Sequence, residues 1–341
     1  MAEKSFSNMA RILALVVLII GLVWFLYTIS WVIQLVVISL LIVYVLFPIA
    51  EFLKARFRFS HFFAVVATFA FFVMTILSLI GLVIPILQRE IEDILSDLPY
   101  YANQLQFYMA ELVEYLETFN LGPELQEAIM GLTTNLQPIM EEVATISISV
   151  LSSLVDIFFI FFIVFYLLYD FHSVRSAIIN IVPQAYHGHA EKIINIIDLN
   201  FGSYIRGNIV RCAIVGLLTG SVLYIIGMPY ALLLGILAGV LNIILYIGPY
   251  LAAIPAVIFS ISPLTPPPFV IVVAYVVIQV IDGALLAPYL LGRAVKLKPI
   301  TVIVGLLIGQ QLAGFLGMIL STPFAGIARG VMMYIQEENK S

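Results

Sequence analysis

GILAGVLNIILYIGPYLAAIP, residues 235–255, is the stretch that decides the fold. It is as apolar as a membrane helix. Yet Gly235, Gly239, Asn242 and the Gly248-Pro249 pair interrupt it. Lipid offers no partner to a freed backbone N–H or C=O, so such a break is tolerated only where protein or a water-filled cavity covers it. The stretch predicts a broken helix set inside a helical membrane protein.

The rest of the chain agrees. Of its 341 residues, 63% are hydrophobic and 10% charged, with a mean hydropathy of +1.14. Soluble domains are nearer half apolar and a quarter charged. The apolar runs are long rather than alternating, which predicts an all-α polytopic membrane protein rather than a β-barrel. About 20 helical residues cross the hydrocarbon. The candidate segments number about eight: 11–29, 31–50, 61–87, 146–169, 207–227, 231–262, 269–290 and 299–328. The first reads as an uncleaved span, because its apolar run is too long for a signal-peptide core. The single cysteine, Cys212, allows no intramolecular disulfide and argues against a Cys-based metal cluster.

Basic residues set the orientation. Lys4 and Arg11, the group Lys54 to Arg58, Arg175 to Arg206, Arg293 to Lys298, and Arg329 with Lys340 all fall on one side if both termini are cytoplasmic. Residues 89–145 are then external, with eleven acidic residues against Arg89 alone. Ile91, Leu95, Leu98, Ala102, Leu105 and Tyr108 recur at steps of three and four, which predicts an amphipathic helix, and a second follows from Pro123. This insert reads as a helical hairpin packed on itself or on a neighbouring subunit, so a homo-oligomer is expected.

Parity makes two segments special. Span 207–227 starts inside and span 269–290 ends inside, so 231–262 must begin and end on the outer face. It reads as a re-entrant hairpin or two crossings, with Gly248-Pro249 near its turn. Segment 299–328 begins inside and ends before Arg329, so it too reads as a hairpin, with its tip between Gly309-Gln310-Gln311 and Gly317. GILAG at 235–239 parallels GLLIG at 305–309, Gly248 parallels Gly317, and Pro255 parallels Pro323. Two span-plus-hairpin units in inverted order are a recurring layout of secondary transporters. Tight packing of small residues, with Asn or Gln bridging helices, is the alternative for any one of these positions.

FYLLYDF (165–171), YIRGNIVR (204–211), residues 230–256 and the tail from Gln279 to Arg329 resemble the autoinducer-2 exporter family, the PerM-like permeases. The resemblance covers nearly the whole chain. It implies eight hydrophobic segments and a membrane carrier. Members are associated with export of autoinducer-2, and some with sodium(lithium)/proton antiport. Where the family has an acidic residue followed by Asn, this chain has Asp282 followed by Gly283.

Ionisable groups at membrane depth are costly and default to functional candidates. Asp282, one turn after Gln279, is a candidate for binding a coupling ion or proton; Asp282→Asn is expected to keep the fold while removing the titration. The alternative is a buried Asp satisfied by Arg211 or an amide. Arg211 is a candidate partner for Asp282 or for an anionic solute, beside Asn208. Arg206 sits where it can snorkel to the headgroups. Asn242, Gln310 and Gln311 offer uncharged donors and acceptors. Gly248, Pro249, Gly309, Gly317 and Pro323 are the candidate hinge positions. Asp156 reads as a span contact, and His187-Gly188-His189 as a solvated loop, not a metal site.

The organisation expected is residues 1–88 as scaffold spans, 89–145 as the insert, 146–206 as the fourth span and an inner connector, 207–330 as the transport unit, and 331–341 as a cytoplasmic tail. No Walker loop, H-E-x-x-H or G-x-G-D run is present, which argues against an ATP-driven pump, a zinc protease and an intramembrane aspartyl protease. The function expected is a non-enzymatic secondary transporter of the cell membrane, without cofactor or nucleic-acid partner. It moves a small polar solute such as autoinducer-2 outward by alternating access. A Na⁺(Li⁺)/H⁺ antiporter is the alternative, and a channel or non-transport scaffold a further one.

Overall fold

The structure, a computed structural model, describes residues 17, 18, 20–22, 24–117, 154–262, 265–291 and 297–338. These residues are helices and short connections, and none of them lies in a strand. Among the described residues, five helical stretches are long and apolar enough to cross a membrane, or six if the bent pair Val155–Tyr169 and Phe171–Ile181 counts as one; parts of the expected segment 11–29 and the start of 146–169 lie outside them. Large apolar side chains such as Phe71, Phe158 and Val276 remain exposed, as a lipid-facing surface requires.

Helix α1 (Ser30–Phe57) carries no charge until Glu51, and Lys54 and Arg56 stand in its last turn, where positive charge suits the helix dipole. It ends at Arg58 in the left-handed region, φ 55°. Helix α2 (His61–Glu117) is 57 residues long. At about 1.5 Å per residue that is roughly 85 Å, against about 30 Å of hydrocarbon. The helix passes residue 88 without a break, so the insert's first amphipathic helix is the far half of the third span's own helix. The second, expected from Pro123, lies outside the described residues. Helix α3 (Leu154–Tyr169) packs with α1 and α2 around Val43, Leu46, Val65, Val164 and Leu168.

A 73° bend at Asp170 leads into α4 (Phe171–Ile181). A 3₁₀ turn at Gln184–Tyr186 and α5 (His187–Ile197) follow, then a π turn at Asp198–Gly202 that feeds α6 (Ser203–Ile225). Tyr44 donates to the Asp198 carboxylate at 2.7 Å, and Arg206 to the Tyr44 carbonyl at 3.1 Å. These bonds fasten the foot of α6 to α1. Arg206 is thus held by backbone.

Segment 231–262 is two helices, α7 (Ala231–Leu241) and α8 (Gly248–Phe259). They are 11 and 12 residues long, about 16 and 18 Å, each well short of the hydrocarbon thickness. Asn242 ends α7, and Gly248 and Pro249 open α8. Proline is tolerated in a first turn because its missing N–H has no partner there anyway. A Cβ on Gly248 would lie 1.8 Å from the Leu241 carbonyl oxygen, so only glycine lets the two helices meet at the break.

Helix α9 (Pro268–Leu291) contains a π turn at Asp282–Leu286. Helix α10 (Pro299–Glu338) loses helical geometry at Ala313 and Gly314, the latter at φ 57°. There the chain doubles back. A Cβ on Gly309 would stand 2.2 Å from the Gly317 carbonyl oxygen, a contact that two residues eight apart in a straight helix cannot make. Buried Pro323 lies in the second arm.

Two apolar clusters lie along α6. One joins Leu223, Leu234, Ala252, Ile271 and Tyr275 with Ile94 and Tyr101 of α2. The other joins Tyr204, Ile244, Leu245, Leu291, Val302, Leu306 and Leu320. Arg211 sits on α6 between them.

Candidate functional site

Arg211 and Asp282 are 71 residues apart in sequence and form a two-pronged ion pair. Arg211 Nε donates to Asp282 Oδ1 at 2.7 Å, and Nη2 to Oδ2 at 2.6 Å. The side chains are 2% and 1% exposed. Nη1 donates to Asn208 Oδ1 at 3.1 Å and to the Asn242 carbonyl at 3.4 Å, and Nη2 to Asn242 Oδ1 at 3.3 Å. A guanidinium has five N–H donors, and all five are used. Asn208 Nδ2 donates onward to the Ile243 carbonyl at 3.3 Å. The fork geometry of Arg with a carboxylate is among the stronger protein hydrogen-bond arrangements.

Three elements meet here, and each brings its polar group for a local reason. On α6, Tyr204, Asn208, Arg211 and Val215 recur on one helix face and are all buried. Asp282 opens the π turn of α9, and π turns inside helices recur at functional sites. Asn242 and Ile243 present carbonyls that the end of α7 frees from helical bonding. Breaking α7 thus supplies acceptors to a charge that lipid could not satisfy.

Among the sequence candidates, Asp282, Arg211, Asn208 and Asn242 come together. Gln279 is half-buried one turn before Asp282 and is not among its partners. Gln310 and Gln311 are exposed and are not among the hydrogen-bond partners of the Arg211–Asp282 pair. Asp156 is half-buried on α3. His187 bonds the Val182 carbonyl, whereas His189 bonds the Tyr334 hydroxyl, so the two rings serve different partners.

Sequence reasoning named Gly235 and Gly239 but missed Gly207, Gly216 and Gly220, the α6 glycines that let these helices close up. A Cβ on Gly207 would lie 2.1 Å from the Leu290 carbonyl oxygen, where α6 crosses α9. Gly216 and Gly220 of α6 face Gly235 and Gly239 of α7; a Cβ on Gly235 would lie 2.6 Å from Gly220 Cα. The signal was the G-x-x-x-G spacing at 216–220, which sits opposite its equal at 235–239. An apolar groove of about 930 Å³ follows this crossing between Leu217, Tyr224, Ile236 and Val240. None of Arg211, Asp282, Asn208 or Asn242 lines it.

The acidic part of α2 grips the far end of the broken segment. Glu90 accepts from the Leu233 N–H at 2.7 Å, in the first turn of α7, where an anion suits the helix dipole. The Tyr230 hydroxyl donates to Asp97 at 2.8 Å, and Tyr101 packs against Phe259 with ring centroids 5.2 Å apart. Burial, and then the Asp97 carboxylate, raise the Tyr230 pKa, so the phenol stays a donor. Tyr230 holds φ 57°, a left-handed conformation uncommon for an aromatic residue. The face buried here is Ile94 and Tyr101; Leu95 and Tyr108 of the predicted stripe are 37% and 42% exposed. A double-mutant cycle on Asp97→Asn and Tyr230→Phe should give a coupling of about 1 kcal/mol in unfolding measurements in detergent.

The fold and the site define a polytopic α-helical membrane protein in which spans and an interrupted helix meet around a buried ion pair. Residues 12–336 match the family described as AI-2E family transporter, and the chain belongs to that family. It is 25% identical over 308 residues to "Putative transport protein YrrI" of Bacillus subtilis, covering 87% of this chain and 85% of that one. It is 26% identical over 268 residues to "Putative permease PerM" of Escherichia coli K12, covering 76% and 75%. A second Bacillus subtilis relative, "Putative transport protein YueF", is 27% identical over 262 residues, covering 74% and 70%. These relatives support a role in membrane transport.

Proposed function

We propose that this protein is a cell-membrane permease that moves a small polar solute such as autoinducer-2 outward by alternating access. The observation that carries the reading is the Arg211–Asp282 pair, buried where α6, α9 and the α7–α8 break meet. A charge cluster shared by two spans and a broken helix has a reason to exist if the break moves. In this reading α7–α8 and the two arms of α10 are re-entrant hairpins, inverted relative to each other. Residues 207–330 form the moving unit, and residues 1–145 the scaffold. Both termini are cytoplasmic, the acidic insert is external, and subunits assemble as a homo-oligomer. The short lengths of α7 and α8 support re-entry, as does the fold in α10 at Ala313–Gly314.

An antiporter needs a carboxylate free to trade a proton for Na⁺ or Li⁺. Both Asp282 oxygens are held by Arg211, which favours solute transport over antiport at this site. Purified protein in proteoliposomes tests the choice by comparing autoinducer-2 with Na⁺ and Li⁺ under an imposed pH gradient. Saturable autoinducer-2 uptake with counterflow is expected. Cation-dependent proton flux with no autoinducer-2 movement would replace the permease by an antiporter. Non-saturating flux without counterflow would replace it by a channel.

A further inference from the structure

Two polar atoms, one on the amide that meets Arg211 and one further down α6, are buried and, among the described residues, have no hydrogen-bond partner: Asn242 Nδ2 and the Tyr204 hydroxyl oxygen. Their residues are 0% and 1% exposed. The orientation of the Asn242 amide follows from its neighbour. Its Oδ1 accepts from Arg211 Nη2 at 3.3 Å, and turning the amide over would aim N–H at N–H. The unpartnered end is therefore the donor end. Tyr204 lies two turns down α6 from Arg211, on the same face, among Ile244 and Leu245 of the α7–α8 connection and Val302, Leu306 and Leu320 of α10. The buried Thr322 hydroxyl lies beside it without meeting hydrogen-bond geometry.

Leaving buried polar atoms unpaired is costly, and native proteins hold few of them. These two stand on different elements that meet both broken segments. The guanidinium is saturated and Arg211 holds both Asp282 oxygens, so the uncommitted donors here are the N–H₂ and a phenolic O–H. Such groups bind an acceptor oxygen. An N–H₂ points hydrogens, not lone pairs, at its partner, which repels a dehydrated cation.

We propose that the Asn242 amide N–H₂ and the Tyr204 hydroxyl are the cargo-facing groups, and that the atoms they bind are hydroxyl or carbonyl oxygens of the cargo. Arg211 and Asp282 are then positioning residues that aim the Asn242 amide. This inference rests on the permease reading and names the groups that would read the solute. Tyr204 is not among the residues that spacing alone brings forward.

Tyr204→Phe tests it with little risk to folding, because it removes only an unpartnered hydroxyl. Thermal unfolding in detergent is measured with and without autoinducer-2, D-ribose, Na⁺ or Li⁺. Without additive, the variant should unfold at or above the wild-type temperature, as expected when a buried orphan is removed. The wild type should be stabilised by at least one of the two oxygen-bearing probes and by neither cation. In Tyr204→Phe that probe should need roughly tenfold higher concentration for the same shift. Asn242→Asp, which keeps the acceptor facing Arg211 and replaces the donor, should lose the solute shift and gain one with Na⁺.

A Tyr204→Phe protein that unfolds clearly below wild type without additive would show the hydroxyl already paired, and would overturn the proposal. So would stabilisation of the wild type by Na⁺ or Li⁺ alone, no shift with any probe, or equal probe shifts in wild type and Tyr204→Phe. Probe shifts that follow expectation beside absent proteoliposome flux would sink the permease reading and leave the binding groups standing.

Discussion

Arg211→Ala is expected to lower folded stability by about 3–5 kcal/mol, the range seen when one partner of a buried ion pair is removed. Asp282 would be left with no counter-charge in a site where both side chains are at most 2% exposed. Asn208 Oδ1 and Asn242 Oδ1 would lose their donor as well. Asp282→Ala should cost a similar amount, because a buried guanidinium would lose both of its shortest bonds. The double replacement Arg211→Met with Asp282→Leu should recover part of the loss, since a well-packed apolar pair replaces a buried ion pair at little cost. Recovery stays partial because the two asparagines remain without their donor. The pairing also changes the expectation for Asp282→Asn. A neutral amide keeps the shape and leaves the guanidinium unbalanced, so that variant should fall between wild type and Asp282→Ala. Denaturant unfolding in mild detergent measures all four. Single variants as stable as wild type would mean that the pair is not buried as described. A double variant that folds and no longer transports would separate a functional role from a structural one.

Gly248→Ala and Gly309→Ala are expected to cause the second-largest losses. The added methyl would stand 1.8 Å from the Leu241 carbonyl oxygen in the first case and 2.2 Å from the Gly317 carbonyl oxygen in the second. Both obstacles are backbone, so no side chain can rotate away. The arms must separate by more than an ångström, which loosens the contacts of Ala252 and Ala256 in one segment and of Leu306 and Leu320 in the other. Overpacking of this kind typically costs 1–3 kcal/mol, and backbone obstacles put both variants at or above about 3 kcal/mol. Gly283→Ala is the matched control, because a Cβ there meets nothing within 4 Å. It should unfold within about 0.5 kcal/mol of wild type. The folded fraction after size-exclusion chromatography and the unfolding midpoint report the difference. Equal behaviour of Gly248→Ala and Gly283→Ala would show that the two arms do not meet at Gly248.

Much was legible along the chain because the membrane constrains each segment separately. A run of about 20 apolar residues must be helical whatever else the protein does. Glycine and proline within such a run mark a break regardless of tertiary context. Hence 231–262 read as two pieces with Gly248-Pro249 at the turn, and the structure opens α8 at that pair. An ionisable residue in a span stands out against its apolar neighbours, so Asp282 and Arg211 were visible as single residues.

Their pairing was an open choice in the sequence, and only the tertiary structure decided it. A partner 71 residues away depends on how α6 and α9 are rotated about their axes. That rotation is set by the close backbone approach of Gly207 to Leu290. The exposure of Gln310 and Gln311 follows from where α10 folds back, at Ala313–Gly314. Helix α2 makes the same point. Its three- and four-residue rhythm identified an apolar stripe through Leu95 and Tyr108. Leu95 and Tyr108 are exposed while Ile94 and Tyr101 are buried, because the start of α7 and the end of α8 present Leu233, Tyr230 and Phe259 to them. Periodicity and breaks are properties of one segment, so the sequence determined the helical membrane class and the interruptions. Which face meets which partner is a property of the packed assembly, where distant backbones either approach or collide.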